Sequence, residues 1–488
     1  MGIGTYDNDG WTVLTPSVDS RVIYVSTSGS DSNSGLSSAS PVQTFAKAMT
    51  LVRTGYPDWV LFKRGDSWTG QDTRVKKCGR SASEPMVFGA YGTGARPILN
   101  GDGPNSYTST NPGGFVFQFL VFVGIHFKKT ASDQSAISIK CAFDSVLIEG
   151  CKFEGLSTGL NIDSSGSGSN LTVRRNVCID IDAQGFFIVG CDYMLIEENI
   201  LDYNGWGSGG YGGDGNPGST IFKHNMYLRN QTNLTVRNNI TSRASYMGIK
   251  IAGDAVNSCT DINISGNLIY SGGLSMSAGS GAAGIDTFRF NRCAVSDNIF
   301  TATGREFTGT SGGTSSLAVY DTNGQEIVYD NNYFVHNNLV GTGGEMFNWG
   351  GVDRHLNVTV ENSIVYNWDL GSGLAVAPRD YFEFYNEVYR EYPGAPGITN
   401  FQLLNNQINQ SASTYLDPTR TVGKYYASIG GTDDAVAFVV ACRSQEKGNW
   451  NTAYTATEVN AYIREGFSPP GRTYFIQTGG LTYTLQTG

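Results

Sequence analysis

The chain has 488 residues, including 63 Gly, 26 Tyr and 25 Phe but only 16% charged side chains, a composition of many short strands and turns rather than of helices. A formal net charge of −10 without any basic run argues against a nucleic-acid partner, whose phosphates need a concentrated Lys/Arg surface. No apolar stretch reaches the roughly 18 residues of a membrane span, so no membrane insertion is expected.

The first 58 residues read as an N-terminal segment with a capping helix. The opening MGIGTYDNDGW lacks the charged and apolar regions of a secretion signal. Ser40-Pro41 offers an N-cap and a first-turn proline for a helix carrying Phe45, Ala48, Met49 and Val52, the kind of lid an exposed solenoid end requires. DNDG (7–10) and DSNSG (31–35) are oxygen-rich turns that make calcium a candidate cofactor, although neither is a full binding loop and an Asx turn explains both.

From residue 59 to 400 the chain repeats. NLTVRRN (170–176) returns as NLTVRNN (233–239), and looser copies are SVLIEGC (145–151), YMLIEEN (193–199), DINISGN (261–267), RCAVSDN (292–298), QEIVYDN (325–331) and NVTVENS (357–363). The seventh place is then Cys151, Asn176, Asn199, Asn239, Asn267, Asn298, Asn331 or Ser363, at spacings from 23 (176 to 199) to 40 (199 to 239) residues. A recurrent Asn suits a left-handed turn and side-chain hydrogen bonding along a stack. Apolar pairs such as Ile200-Leu201, Leu268-Ile269 and Ile299-Phe300 follow it. Strand, turn and strand at this period predict a single-stranded right-handed parallel β-helix, an all-β solenoid.

A second strand type opens the coils: GLNI (159–162), GFFI (185–188), NMYL (225–228), GIKI (248–251) and GIDT (284–287). Alternation turns their apolar residues inward and leaves Asn161, Phe187, Tyr227, Lys250 and Asp286 on one outer wall, stacked at about 4.8 Å per coil. Glycine-rich insertions at 205–219 and 271–283 sit beside that wall, where solenoids build binding clefts. Residues 401–488 are expected to form a small helical C-terminal cap: one helix within Asp433–Glu446, a second from a Thr455/Glu458 capping box to about Phe467, then the strand-like TYFIQTGGLTYTL. Eight cysteines show no metal spacing and are expected mainly as buried thiols, with one or two disulfides as the alternative.

YVSTSGSDSNSGLSSASPVQTFAKAM (24–49), WVLFKRGDSW (59–68) and HNMYLRNQTNLTVRNNI (224–240) together resemble the right-handed parallel β-helix proteins of the pectate-lyase-like superfamily; RSQEKGNWNTAYTATEVNAYIREGF (443–467) resembles a C-terminal segment of some bacterial β-helix repeat proteins. The resemblance covers roughly residues 20 to 370. It implies a polysaccharide substrate and an extracellular, secreted or virion-associated protein, since the superfamily holds polysaccharide lyases, glycoside hydrolases, uronan epimerases and phage tailspike depolymerases.

Two chemistries are open. β-Elimination from a uronic acid needs a cation for the carboxylate, a base and an acid; Arg229, Lys250 and Tyr227 supply these types, with lysine as base by resemblance and His224 as the alternative base. Hydrolysis needs two carboxyls across the bond, with Asp286 as the first candidate and Asp214, Asp254 or Asp163 as partner. A non-catalytic glycan-binding solenoid is the third reading. Asn161, Phe187, Trp206, Tyr211, Asp214, Asp254 and Arg289 are the substrate-binding candidates, the aromatics by stacking on pyranose faces. The bland readings are a lone surface lysine beside a tyrosine, solvated turn aspartates, and aromatics that merely pack loops.

Overall fold

In the computed structural model, Val22–Val25 pairs with Trp59–Lys63 in parallel register, and later coils add strands side by side as far as Ile398–Leu404 and Gln407–Ile408. The structure describes residues 3–71, 74–100, 116–128, 135–207, 222–253, 258–272, 274–278, 290–302, 317–320, 324–337, 347–350, 355–368, 398–470, 473–478 and 482–487. Their pairings give one sheet of 19 strands and one of 12. This is the right-handed parallel β-helix that the repeat predicts.

Period-two alternation explains the core. Leu160, Phe186, Met226 and Ile249 are register partners and all fully buried in one continuous interior cluster. The apolar pairs after the repeated Asn divide their work. Leu201, Ile269 and Phe300 point inward, whereas Ile200, Leu268 and Ile299 point outward beneath the C-terminal helices.

The repeated asparagines form a buried ladder. The backbone N–H of Asn199 donates to Asn239 Oδ1 (2.9 Å) and that of Asn239 to Asn267 Oδ1 (3.0 Å), while each side-chain amide donates to the next Oδ1 and to a carbonyl of the preceding coil. The ladder residue is not the left-handed one. Positive φ falls on its predecessor, at Arg175, Glu198, Asn238 and Asp297, so the turn and the ladder use neighbouring residues. In the 325–331 copy this moves the frame by one: Asn331 takes φ 52° and Asn332 carries the ladder. A second column alternates charge, with Glu149, Arg174, Glu197 and Arg237 in register and Arg174 bonded to both glutamates.

The N-terminal helix is Phe45–Leu51, capped by Thr44 through its side chain, and not by Ser40. Pro41-Val42 is extended instead, because Val42 bridges to Val25. Phe45 stacks on Phe62 at 5.9 Å and closes the first coil.

Among the described residues three α-helices follow the last coil, Val422–Ser428, Ala435–Cys442 and Ala456–Gly466; the first was not foreseen. Thr455 makes no side-chain cap, since its hydroxyl donates to the Thr452 carbonyl. These helices lie along the flank. Val422, Phe438, Val459 and Ile463 cover the outward Ile200, Ile240, Leu268, Ile299 and Ile364, and Arg443 reaches Asp202 and Asp180. The N-terminal segment also crosses several coils, with Trp11 edge-on to Trp450 at 5.5 Å. The tail forms an antiparallel hairpin of Thr473–Thr478 and Thr482–Thr487. None of the eight cysteines is in a disulfide, and seven are buried.

Asn239→Ala strands buried groups on two coils and is expected to cost about 3 kcal/mol or more, whereas Asn331→Ala at a left-handed turn is expected to cost about 1–2 kcal/mol. Urea unfolding followed by circular dichroism checks the order; equal losses would reject the ladder's role.

Candidate functional site

Register builds the wall. Asn161, Phe187, Tyr227 and Lys250 are successive Cα partners on strands Thr158–Arg174, Gln184–Glu197, Met226–Arg229 and Ile249–Gly253. The next rung is Ser275 of Leu274–Ala278, not Asp286: the LSMSA segment supplies the strand, and GIDT (284–287) lies outside the described residues. A neighbouring column runs Asp163, Val189, Arg229 and Ala252, so Arg229 shares the face of Tyr227 as alternation requires.

Asn161, Phe187, Tyr227, Arg229 and Lys250 line a cleft of about 250 Å³ together with Thr158, Ala183, Gln184, Phe222 and His224. Phe187 and Tyr227 meet edge to face at 5.5 Å, and Lys250 Nζ lies 5.2 Å from the Tyr227 ring centre. Gln184 fixes the segment entering this wall: its Oε1 accepts from the His224 N–H (2.9 Å) and its Nε2 donates to the Phe222 carbonyl (2.5 Å). Phe222 is thereby held at the cleft with 47% of its surface exposed.

Burial sets the protonation states. It holds the Lys250 ammonium below its ordinary pKa of 10.5 and raises the Tyr227 phenol above 10, with the Arg229 charge opposing the latter. The Tyr227 ring face, 5.2 Å from Nζ, favours the ammonium and so acts against the effect of burial, which sets the direction of the shift. His224 is fully buried, and its burial, reinforced by the Lys250 charge, pushes its pKa well below 6.5. Its Nδ1 accepts the Met247 N–H at 3.3 Å, which leaves the proton of the neutral ring on Nε2. Neither nitrogen then has a lone pair to act as base in this geometry, so His224 serves the wall by packing at 5.4 Å against Tyr227.

Of the other candidates, Trp206 stacks on Tyr203 at 5.3 Å and donates to the Arg243 carbonyl, away from the cleft lining. Tyr211, Asp214, Asp254, Asp286 and Arg289, with the stretch 380–392, lie outside the described residues. Asp7 Oδ1 accepts from the N–H groups of Asp9 and Trp11, and Asp31 Oδ1 from Gln43 and Thr44, which makes both acidic turns backbone acceptors. Among the described residues, no three His, Cys, Asp or Glu side chains gather as a metal set, and no helix is long and apolar enough to cross a membrane. Sequence reasoning missed Thr158, Gln184 and Phe222. The signal for the first two was their place three residues before Asn161 and Phe187, as His224 precedes Tyr227.

The folded-state pKa of His224 lies below its unfolded value, so protons bind the unfolded chain first and the stability carried by the neutral ring is lost as pH falls below about 6.5. Its imidazole resonances are expected to stay those of the neutral ring from pH 8 to 5 while the melting temperature declines. An imidazolium spectrum at pH 6 would contradict the buried placement.

No family model and no curated protein matches the chain. Among solved structures, a complex of XylC with xylose matches at TM-score 0.50 and 10% identity, over 82% of this chain and 87% of that one. A rhamnogalacturonan lyase matches at TM-score 0.39 and 13% identity over 92% and 99%, and the Dettilon tailspike protein at 0.43 and 12% over 78% and 68%. The XylC match, at that identity, is a likeness in fold.

Proposed function

We propose that this protein acts on polysaccharides, as a lyase that cleaves a uronic-acid-containing glycan by β-elimination. The observation that carries the reading is the adjacency of Lys250 and Tyr227 on consecutive coils of one cleft, with burial moving their pKa values in the directions that a base and an acid require. In this scheme neutral Lys250 Nζ takes the C5 proton. The electron pair forms the C4–C5 double bond, the C4–O bond breaks, and the leaving oxygen takes the Tyr227 proton. The Arg229 guanidinium offsets the charge that builds on the carboxylate and its α-carbon. The Phe187 and Tyr227 rings offer pyranose-sized apolar surface beside it.

Hydrolysis is the weaker reading. It needs two carboxyls across the scissile bond, and none of the described residues lining the cleft is a carboxylate. The substrate contact implies a location where polysaccharide is met, outside a cell or on a virus particle.

Lys250→Ala is expected to keep the fold and lower turnover by about 10²–10⁴-fold. The readout is the near-ultraviolet absorbance of the unsaturated product on a panel of acidic and neutral polysaccharides, with reducing ends assayed in parallel. Wild-type turnover in this variant rejects the base; reducing ends without absorbance reject elimination. With pH, the wild-type rate should rise through a midpoint below 10.5 as Lys250 loses its proton and fall above 10 as Tyr227 ionises. Lys250→Arg should lack the rising limb.

A further inference from the structure

The two ends of the wall differ in charge. At one end the Arg229 guanidinium, the group that faces the carboxylate in the elimination reading, stands one column and one coil from Lys250. At the other end Lys140 follows the strand Ser135–Ile139, whose Ile139 pairs with Ile162, which places Lys140 beside Asp163 on the next coil. Lys140 Nζ donates to Asn161 Oδ1 at 2.5 Å and lies 5.9 Å from the Phe187 ring centre; the Asn161 amide donates onward to Ser135 Oγ at 3.3 Å. The Asp163 charge acts on Lys140 against the effect of burial. Among the described residues this end therefore lines the cleft with the Thr158 hydroxyl and the Asn161 amide, and Lys140, held to Asn161 and acted on by the Asp163 charge, stands directly behind that lining. Three coils separate Asn161 from Lys250, about 14 Å at the strand spacing, enough for a short run of pyranose rings over Phe187 and Tyr227.

We propose that the cleft is polarised along the solenoid axis, taking an acidic sugar at Lys250 and Arg229 and an uncharged sugar at the Asn161 end, with Asp163 as the specificity residue that disfavours a second carboxylate there. This rests on the elimination reading and adds a substrate class: a glycan in which uronic acids alternate or mix with neutral sugars. A carboxylate bound at the Asn161 end would compete with Asp163 for the one ammonium of Lys140. A hydroxyl-rich neutral sugar would meet Asn161 and Thr158 without that conflict.

The test uses the full chain with polygalacturonate and alginate, each untreated or with about half its carboxyl groups reduced to primary alcohols. The quantity read is the ratio of kcat/KM on half-reduced to untreated polymer. Wild type should favour the half-reduced form by about threefold or more. Asp163→Asn should lower that ratio, because Lys140 becomes available to a second carboxylate; Lys140→Met should raise it, because only the anion remains. Opposite shifts from the two substitutions are what a merely structural role would not give. Shifts in the same direction, no shifts, or a wild-type preference for untreated polymer would overturn the polarity while leaving elimination standing. If neither polymer is bound or cleaved in either form, the elimination reading fails and the polarity falls with it.

Discussion

Coil-to-coil register is the constraint on which the rest of this protein depends. Each strand is locked to its neighbours by backbone hydrogen bonds, and a slip of one residue would turn its whole inner set outward. The asparagine ladder resists that slip from inside, because each side chain ties the coil before it to the coil after it. Residues far apart in the chain thus become neighbours at the strand spacing. Phe187, Tyr227 and Lys250 share a column although 40 residues separate the first two and 23 the last two.

The same packing tunes the chemistry. Side chains that face out from the strands would be ordinary surface groups, yet Lys250, Tyr227 and His224 share a cleft with Phe187, Phe222 and Gln184 and are largely buried there. Burial disfavours charge, so the lysine is pushed toward its free amine while the phenol keeps its proton. One physical effect, burial, pulls the two groups in the directions that suit opposite roles. His224, shielded more completely, is held neutral and becomes a packing element.

What was legible in the sequence was whatever obeys a period. Alternation within GLNI, GFFI, NMYL and GIKI gave the inward cores and the outward column from Asn161 to Lys250, because strand geometry leaves no other choice. Where a coil carries an insertion, counting loses the phase. The strand at Leu274–Ala278 was hidden within a glycine-rich stretch, and so the rung after Lys250 was assigned to Asp286 in place of Ser275. The ladder slipped by one at Asn331 and Asn332 for a similar reason, two adjacent asparagines that only the backbone conformation tells apart. Helix caps failed where tertiary pairing overrode local preference, as when Val42 was drawn into a bridge with Val25. Phe222 reaches the cleft through a contact with Gln184 that no local pattern encodes, and the flank position of the C-terminal helices was invisible because both partners read simply as apolar.

That flank has a consequence for how the molecule is made. A stacked solenoid is a nearly one-dimensional object whose units can settle in order as they leave the ribosome. Here the outward Ile200, Ile240, Leu268, Ile299 and Ile364 stay wet until the helices ending at Gly466 are synthesised and fold back over them. Ties such as Arg96 to Gln445 and Trp11 to Trp450 then bridge the first and last parts of the chain. They turn a row of semi-independent turns into a structure whose two termini must let go together, so that fraying from either tip is opposed by the far end of the polypeptide.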